Sequence, residues 1–160
     1  MQSIIIHAIN LRQEERFADS ITELEKLVDD ENYSGQAFLQ IAWNYDAQGL
    51  EREAIPNYKK ALDGILSYDN KFDCLLGLAS SLRCIGNYSE ADIYFKLLLS
   101  EYQDKDEVIP FYAMNLYNLG NHKKSVQLLI QTLLKTTNSD DIKAYKNAIS
   151  IYAQNLDQTW

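Results

Sequence analysis

The sequence predicts an all-α protein built from stacked helix hairpins. Gly49, Gly86 and Gly120 each lie near the end of one segment with helical apolar periodicity, and a second such segment follows within a few residues. The glycine spacings are 86 − 49 = 37 and 120 − 86 = 34 residues, and apolar residues recur at similar offsets around each glycine. Such a period, with two helices per unit, is typical of a helical solenoid. Only two prolines and six glycines interrupt the 160 residues, which also favours helix.

Apolar periodicity and the residues at the segment ends predict nine helices. Glycine ends the first helix of three hairpins because it adopts the left-handed backbone at low cost. Asn87 and Asn121 each follow such a glycine and are suited to cap the next helix. Pro110 falls in a first helical turn, where its missing N–H costs little, and Pro56 lies deeper and predicts a mild bend. The predicted ranges are 2–13, 17–29, 35–48, 51–66, 70–85, 88–101, 106–119, 122–137 and 141–156.

The helices pair into four hairpins, and the last predicted helix, 141–156, remains as a C-terminal cap. The first hairpin lacks the glycine and has Glu15 and Arg16 at its turn, as expected of a terminal repeat. No linker or low-complexity segment divides the chain, so residues 1–160 are predicted to form a single domain. The last helix has an apolar stripe of Ile142, Tyr145, Ile149, Tyr152 and Leu156 and a polar face of Lys143, Lys146, Asn147, Ser150 and Gln154.

The residues around each turn resemble the tetratricopeptide repeat. The second hairpin fits best, with Phe38, Ile41, Ala42, Tyr45, Gly49, Ala54, Tyr58 and Ala61. The third has Leu75, Leu78, Ala79, Leu82, Gly86, Tyr88, Ala91, Phe95 and Leu98, and the fourth Ile109, Tyr112, Ala113, Leu116, Gly120, Ser125, Leu129 and Thr132. The resemblance is strong from about 35 to 135 and extends more loosely over nearly the whole chain. The runs 76–83 and 117–120 also resemble small stand-alone bacterial repeat proteins. The tetratricopeptide resemblance implies a right-handed superhelix of about four antiparallel hairpins plus a C-terminal capping helix.

Some members of that family grip a partner's C-terminal carboxylates with lysines and asparagines on the first helices. The matching positions here are Leu39, Trp43, Leu76, Ser80, Pro110 and Met114. Since none of these side chains can clamp a carboxylate, a receptor of that kind is not expected. The closing proline of the repeat is also absent from every copy.

A concave groove lined by the first helices is the main candidate binding surface. We expect apolar anchoring on Trp43, Phe111, Met114 and Tyr117, with Arg83 and Asn118 for polar register, because such residue types dominate binding hot spots. The alternative for Trp43 and Phe111 is packing against neighbouring helices or the cap. Arg83 and Asp46, which face each other across the predicted groove, are expected to form a surface ion pair rather than a catalytic couple. The predicted groove residues are Leu39, Trp43, Asp46, Leu76, Ser80, Arg83, Phe111, Met114, Tyr117 and Asn118.

A second candidate surface is the N-terminal helix, which is apolar on more than one face and has no preceding repeat. Exposed apolar patches commonly mark interfaces, so this helix predicts a homodimer through Ile5, Ile6 and Ile9. The alternative is that the C-terminal tail covers this edge through Trp160.

The charge balance and the scarce reactive residues bound the function. A formal charge of −8 argues against nucleic acid or an anionic membrane as partner. Cys74 and Cys84 are ten residues apart and, on one helix, would lie about 15 Å apart, which is too far for a disulfide. Two free thiols and an N-terminus unlike an export signal predict a cytoplasmic protein. His7 and His122 stand alone, and no metal-ligand spacing, catalytic grouping or phosphate-binding loop is present.

The sequence therefore predicts a non-catalytic adaptor or regulator with no cofactor and no metal, which binds a protein or peptide partner in its groove. The alternative is a self-assembling structural protein that dimerises through its N-terminal helix. A third class, a small-ligand or enzymatic role, would need a closed polar pocket.

Overall fold

The computed structural model describes residues 1–159, and every regular element within that range is an α-helix. The described chain forms two compact units, Met1–Leu98 and a second that begins at Leu99. The helices are α1 (Gln2–Gln13), α2 (Phe17–Glu25), α3 (Ser34–Asp46), α4 (Glu51–Asp63), α5 (Tyr68–Cys84), α6 (Tyr88–Glu101), α7 (Val108–Asn118), α8 (His122–Thr136), α9 (Asp140–Ala144) and α10 (Lys146–Gln154). Trp160, and with it the predicted covering of the N-terminal edge, lies outside the described residues.

The four hairpin turns share one backbone feature. Gly49, Gly86 and Gly120 have φ values of 70°, 83° and 80°, as predicted, and the equivalent residue of the first hairpin, Glu15, has φ of 60°. The left-handed conformation is therefore kept where the sequence has no glycine. Because a side chain makes that conformation costly, Glu15 carries backbone strain that the three glycines avoid.

Each hairpin has a pair of small buried residues twelve positions apart, one on each helix. The pairs are Ala8 with Ser20, Ala42 with Ala54, Ala79 with Ala91, and Ala113 with Ser125. In the outer two pairs the serine hydroxyl donates to the alanine carbonyl oxygen, at 2.7 Å from Ser20 to Ala8 and 2.6 Å from Ser125 to Ala113. The hydroxyls therefore remain satisfied in a close helix contact from which water is excluded.

Stacking of the first two hairpins shows how one repeat covers the next. Ile5 and Ala8 of α1, and Leu24 and Leu27 at the second helix, form one buried cluster with Ala37 and Ile41 of α3. Partly buried neighbours extend this cluster, among them Ile21, Val28, Phe38 and Tyr45. The first helix of the second repeat thus covers the apolar face of the first hairpin.

The predicted C-terminal helix 141–156 is divided in two, so that prediction is wrong as a single helix. Ser139 caps α9 by accepting a hydrogen bond from the Ile142 N–H, and α9 ends after one turn. The Tyr145 N–H then bonds to the Ile142 carbonyl oxygen, a tight i to i−3 closure, and Tyr145 has φ −101° and ψ 10°. Helix α10 restarts beyond this residue.

The cap also presents a different face from the one predicted. Helix α10 packs against α8 and buries Ala153. Tyr145, Tyr152 and Leu156 of the predicted apolar stripe are exposed, so the prediction that the stripe covers the last hairpin is wrong. The polar face is exposed as predicted, at Lys143, Lys146, Asn147, Ser150 and Gln154.

Both cysteines lie on α5 and are free thiols, Cys74 buried and Cys84 exposed. Within residues 1–159, no helix combines the length and the apolar character that crossing a bilayer requires.

Candidate partner-binding surface

Three first helices of the first unit place a charged residue at one equivalent position. Arg12, Asp46 and Arg83 each lie four residues, about one helical turn, after the small buried alanine of α1, α3 and α5. All three are half-buried. We call the side of α1, α3 and α5 that carries these residues, together with Trp43, the first-helix surface.

Arg12 is held by an aromatic ring. Its guanidinium carbon lies 5.2 Å from the ring centroid of Trp43, within the range of a cation–π interaction. Burial lowers the pKa of Arg12, and nearby Tyr58 opposes that shift. Nη1 of Arg12 is buried and has no hydrogen-bond partner. The arginine is thus positioned by the Trp43 ring, and one of its donors has no acceptor among the described residues.

Asp46 is the centre of a hydrogen-bonded group that joins three helices. Its Oδ2 accepts from the Tyr58 hydroxyl of α4, and its Oδ1 lies 3.0 Å from Ser81 Oγ of α5. The Ser81 hydroxyl is also 2.9 Å from the Gly77 carbonyl oxygen, so its single proton is shared between the two acceptors.

The pKa values of Asp46 and Tyr58 are both shifted by burial and by these contacts. Burial raises the pKa of Asp46, and the hydrogen bonds from Tyr58 and Ser81 offset part of that rise. Burial also raises the pKa of Tyr58, and the adjacent Asp46 carboxylate adds to the rise because it disfavours a second negative charge. Tyr58 therefore stays a neutral donor, and Asp46 is a carboxylate whose oxygens are already engaged.

The ion pair predicted between Arg83 and Asp46 is absent from the part of the chain that the structure describes, where no carboxylate pairs with Arg83. Asp46 is bound by Tyr58 and Ser81 instead. The Nε atom of Arg83 is buried without a hydrogen-bond partner. Two arginines at equivalent positions therefore each keep one buried donor without an acceptor.

The other predicted groove residues fall into three groups. Leu39 is fully buried in the core, which corrects its prediction as a residue that contacts a partner. Leu76 and Ser80 of α5 are half-buried and belong to the first unit. In the second unit, α7 carries half-buried Phe111 and exposed Met114, Tyr117 and Asn118, with the Tyr117 ring centroid 4.6 Å from that of His122.

The predicted dimer edge on α1 is only partly an exposed patch. Ile5 is fully buried and Ile9 packs against the core cluster, so Ile5 is wrong as an interface residue. Ile6 remains exposed, at 53%. Ile5 and Ile9 belong to this cluster because α3 packs against the first hairpin. The exposed apolar face of α1 is therefore narrower than the sequence predicts.

Arg12, Tyr58 and Ser81 are the residues that sequence reasoning missed. Arg12 shares its repeat position with Asp46 and Arg83, which is a signal that the first hairpin also contributes to the surface. Leu24 and Phe95 are the equivalents of Tyr58 in the neighbouring repeats, and neither has a hydroxyl group. The hydroxyl of Tyr58 could therefore have indicated a polar partner at this position. The described residues contain no cluster of three or more histidine, cysteine or acidic side chains arranged to hold a metal ion.

A family model described as Tetratrico peptide repeat matches residues 35–156. The chain belongs to the tetratricopeptide repeat family. No curated protein matches it. Tetratricopeptide repeats generally mediate protein–protein interaction and are typically non-catalytic. The match begins after the first hairpin, but the Ala8–Ser20 contact and the turn at Glu15 show the same construction in that hairpin.

Proposed function

We propose that this tetratricopeptide repeat protein is a non-catalytic adaptor or regulator that binds a segment of another protein on its first-helix surface. The observation that carries the proposal is the pair of buried guanidinium donors, Arg12 Nη1 and Arg83 Nε, that have no acceptor. A buried polar group without a partner costs about 1–3 kcal/mol, which an acceptor supplied by a ligand would recover. Arginine and tryptophan are also the residue types that dominate binding hot spots.

The ligand class follows from the charges along this surface. Arg12 and Arg83 offer donors, whereas Asp46 lies at the equivalent position between them in the sequence and is already engaged by Tyr58 and Ser81. The chain carries a net charge of −8, which disfavours a strongly acidic partner. Peptide carbonyl groups accept hydrogen bonds without adding charge, so an extended peptide main chain fits the two arginines best.

Apolar anchoring supplements these polar contacts. Trp43 offers a ring already positioned under Arg12, so little side-chain entropy is lost when a partner packs against it. The second unit, by itself, has exposed apolar side chains at Met114 and Tyr117 of α7 that suit a partner's apolar residues, with Phe111 and Asn118 near them in the sequence. The free thiols Cys74 and Cys84 support a reducing, cytoplasmic setting.

Affinity capture with matched variants tests the proposal. The wild type and the double variant Trp43→Ala with Arg83→Ala, both residues of the first-helix surface, are used as bait in lysate of the source cell, and bound proteins are identified by mass spectrometry. We expect a partner that is enriched by the wild type and lost from the variant. Arg52→Ala, which removes an exposed arginine of α4, serves as the control and should retain the partner. Equal capture by all three baits would refute the proposed surface.

A further inference from the structure

One repeat position is buried in three repeats and exposed in the fourth. Leu24, Tyr58 and Phe95, each sixteen residues after the small alanine of its hairpin, are completely buried. The equivalent residue of the last hairpin, Leu129, is 42% exposed. Val126 and Leu133 lie one turn to either side of it and are 43% and 46% exposed. We call these three residues the α8 stripe.

The first hairpin shows what normally covers such a stripe. Ile21, Leu24 and Val28 occupy the positions that correspond to Val126, Leu129 and Leu133. They pack in the cluster that also contains the α3 side chains, which follow one spacing along the helix: Ala37, Phe38, Ile41 and Tyr45. By this comparison, the helix expected to cover the α8 stripe carries a small apolar residue at i and large apolar residues at i+1, i+4 and i+8.

Helix α10 and the residues just after it have that spacing. Ala148, Ile149, Tyr152 and Leu156 repeat the i, i+1, i+4, i+8 arrangement of α3, and Ala153 matches the buried Ala42. Within one copy, however, α10 lies along another side of α8. Lys146 and Ser150 of α10 border the same depression as Gln131, Leu134 and Lys135, and Lys123 pairs with Asp157.

The α8 stripe is therefore exposed, and of the matching α10 residues Tyr152 and Leu156 are exposed while Ala148 and Ile149 are half-buried. At 100° per residue, Val126, Leu129 and Leu133 share one face of α8, whereas Lys124, Gln131 and Lys135 share the opposite one. Tyr152, 57% exposed, and Leu156 are the side chains of the α10 segment that the repeat pattern would place against the α8 stripe. A contact that the sequence encodes is therefore unused within one copy of the chain.

We propose that the α8 stripe is covered by α10 of a second copy of this chain. The contact is reciprocal, since each copy offers one stripe and one α10, and a two-fold arrangement forms it twice. This surface is separate from the first-helix surface, so the inference goes beyond the proposed function and does not depend on it. Burial of large apolar side chains supplies the driving force, against the repulsion between two chains of charge −8.

Single-cysteine variants test which copy supplies α10. Leu129→Cys and Tyr152→Cys are made separately in a Cys84→Ser background, with buried Cys74 retained, and the two proteins are mixed under mild oxidation. We expect a disulfide dimer of the two variants in clear excess over either self-dimer. A mixture without that excess would overturn the proposal, as would an intrachain disulfide in a chain carrying both cysteines.

Light scattering after size-exclusion chromatography gives the second test. The wild type should be dimeric at high micromolar concentration, and Leu129→Asp with Leu133→Asp should weaken association at least tenfold while circular dichroism keeps its helical signal. Ile93→Asp, at a residue of α6 that is 64% exposed and outside the stripe, is the matched control and should remain dimeric. A wild type that stays monomeric overturns the proposal, and so does equal association of both variants.

Discussion

A Cβ atom at residue 77 would lie 2.5 Å from the Tyr58 hydroxyl oxygen and 2.5 Å from Cζ of the same ring. Gly77 of α5 therefore gives the Tyr58 side chain of α4 the space through which its hydroxyl reaches Asp46. The fold and the candidate surface depend on each other here, because one missing side chain allows both the helix packing and the hydrogen bond.

Gly77→Ala should therefore destabilise the protein by about 1–3 kcal/mol, as expected of overpacking. The sign of this stability change is informative, because alanine in an unobstructed helix interior stabilises a protein by about 1 kcal/mol relative to glycine. Urea unfolding followed by circular dichroism measures the change. Ser80→Ala, on the same helix and half-buried, is the control and should change stability much less. A Gly77→Ala protein as stable as the wild type would contradict the close approach.

Asp46 should make stability depend on pH. Its pKa is raised in the folded state, so its contribution is fully present below pH 3.8, the ordinary value, and is lost as pH rises through the raised pKa. Asp46→Asn keeps an oxygen for the Tyr58 hydroxyl without the charge. We expect this variant to be more stable than the wild type at pH 7 and the advantage to shrink toward pH 4. Urea unfolding at both pH values checks this, and an advantage that grows on acidification would rule it out.

The left-handed turns offer a matched pair of substitutions. Glu15→Gly should stabilise the protein by about 1 kcal/mol, because glycine removes the strain of φ 60°. Gly86→Ala should destabilise it by a similar amount because φ is 83°, and since no atom beyond the adjoining residues lies within 4 Å of the added Cβ, the cost is that of the backbone conformation alone. Thermal unfolding of both variants measures the effect. Changes of the same sign would show that strain at this turn position does not set stability.

The two thiols should differ in reactivity. Cys84 is exposed, whereas Cys74 is buried and its burial raises the pKa to about 12. Its Sγ also lies 3.3 Å from the Tyr58 carbonyl oxygen. A thiol reagent at pH 8 should label one cysteine rapidly in the native protein and the second only after unfolding, because the thiolate is the reactive form. Rapid labelling of both cysteines would contradict the packing of α5 against α4.

The architecture was predictable because glycine turns and small residues have direct physical causes that act locally. Gly49, Gly86 and Gly120 adopt the left-handed conformation for reasons that a single residue carries. The burial of Leu39 was not predictable in this way, because it depends on how α1 and α5 pack around α3. The hydrogen-bond partners of Asp46 could not be identified from the sequence, because they depend on the positions of Tyr58 on α4 and Ser81 on α5.

The C-terminal cap shows the same limit. The apolar period of residues 141–156 predicts one amphipathic helix, and nothing local marks Tyr145 as a break. The helix is interrupted at the tight hydrogen-bonded closure between Tyr145 and Ile142. Helix α10 starts after this closure and packs against α8. Periodicity predicts which residues can be buried, and long-range packing decides which of them are.

The most direct test of the central claim is the affinity of the captured partner for single arginine variants, measured by isothermal titration calorimetry. A ligand acceptor on Arg12 or Arg83 forms a hydrogen bond to a charged group, worth about 1.5–3 kcal/mol. We therefore predict that Arg12→Ala and Arg83→Ala each weaken binding at least tenfold, whereas Arg52→Ala leaves the affinity unchanged. Wild-type affinity in both Arg12→Ala and Arg83→Ala would contradict the account.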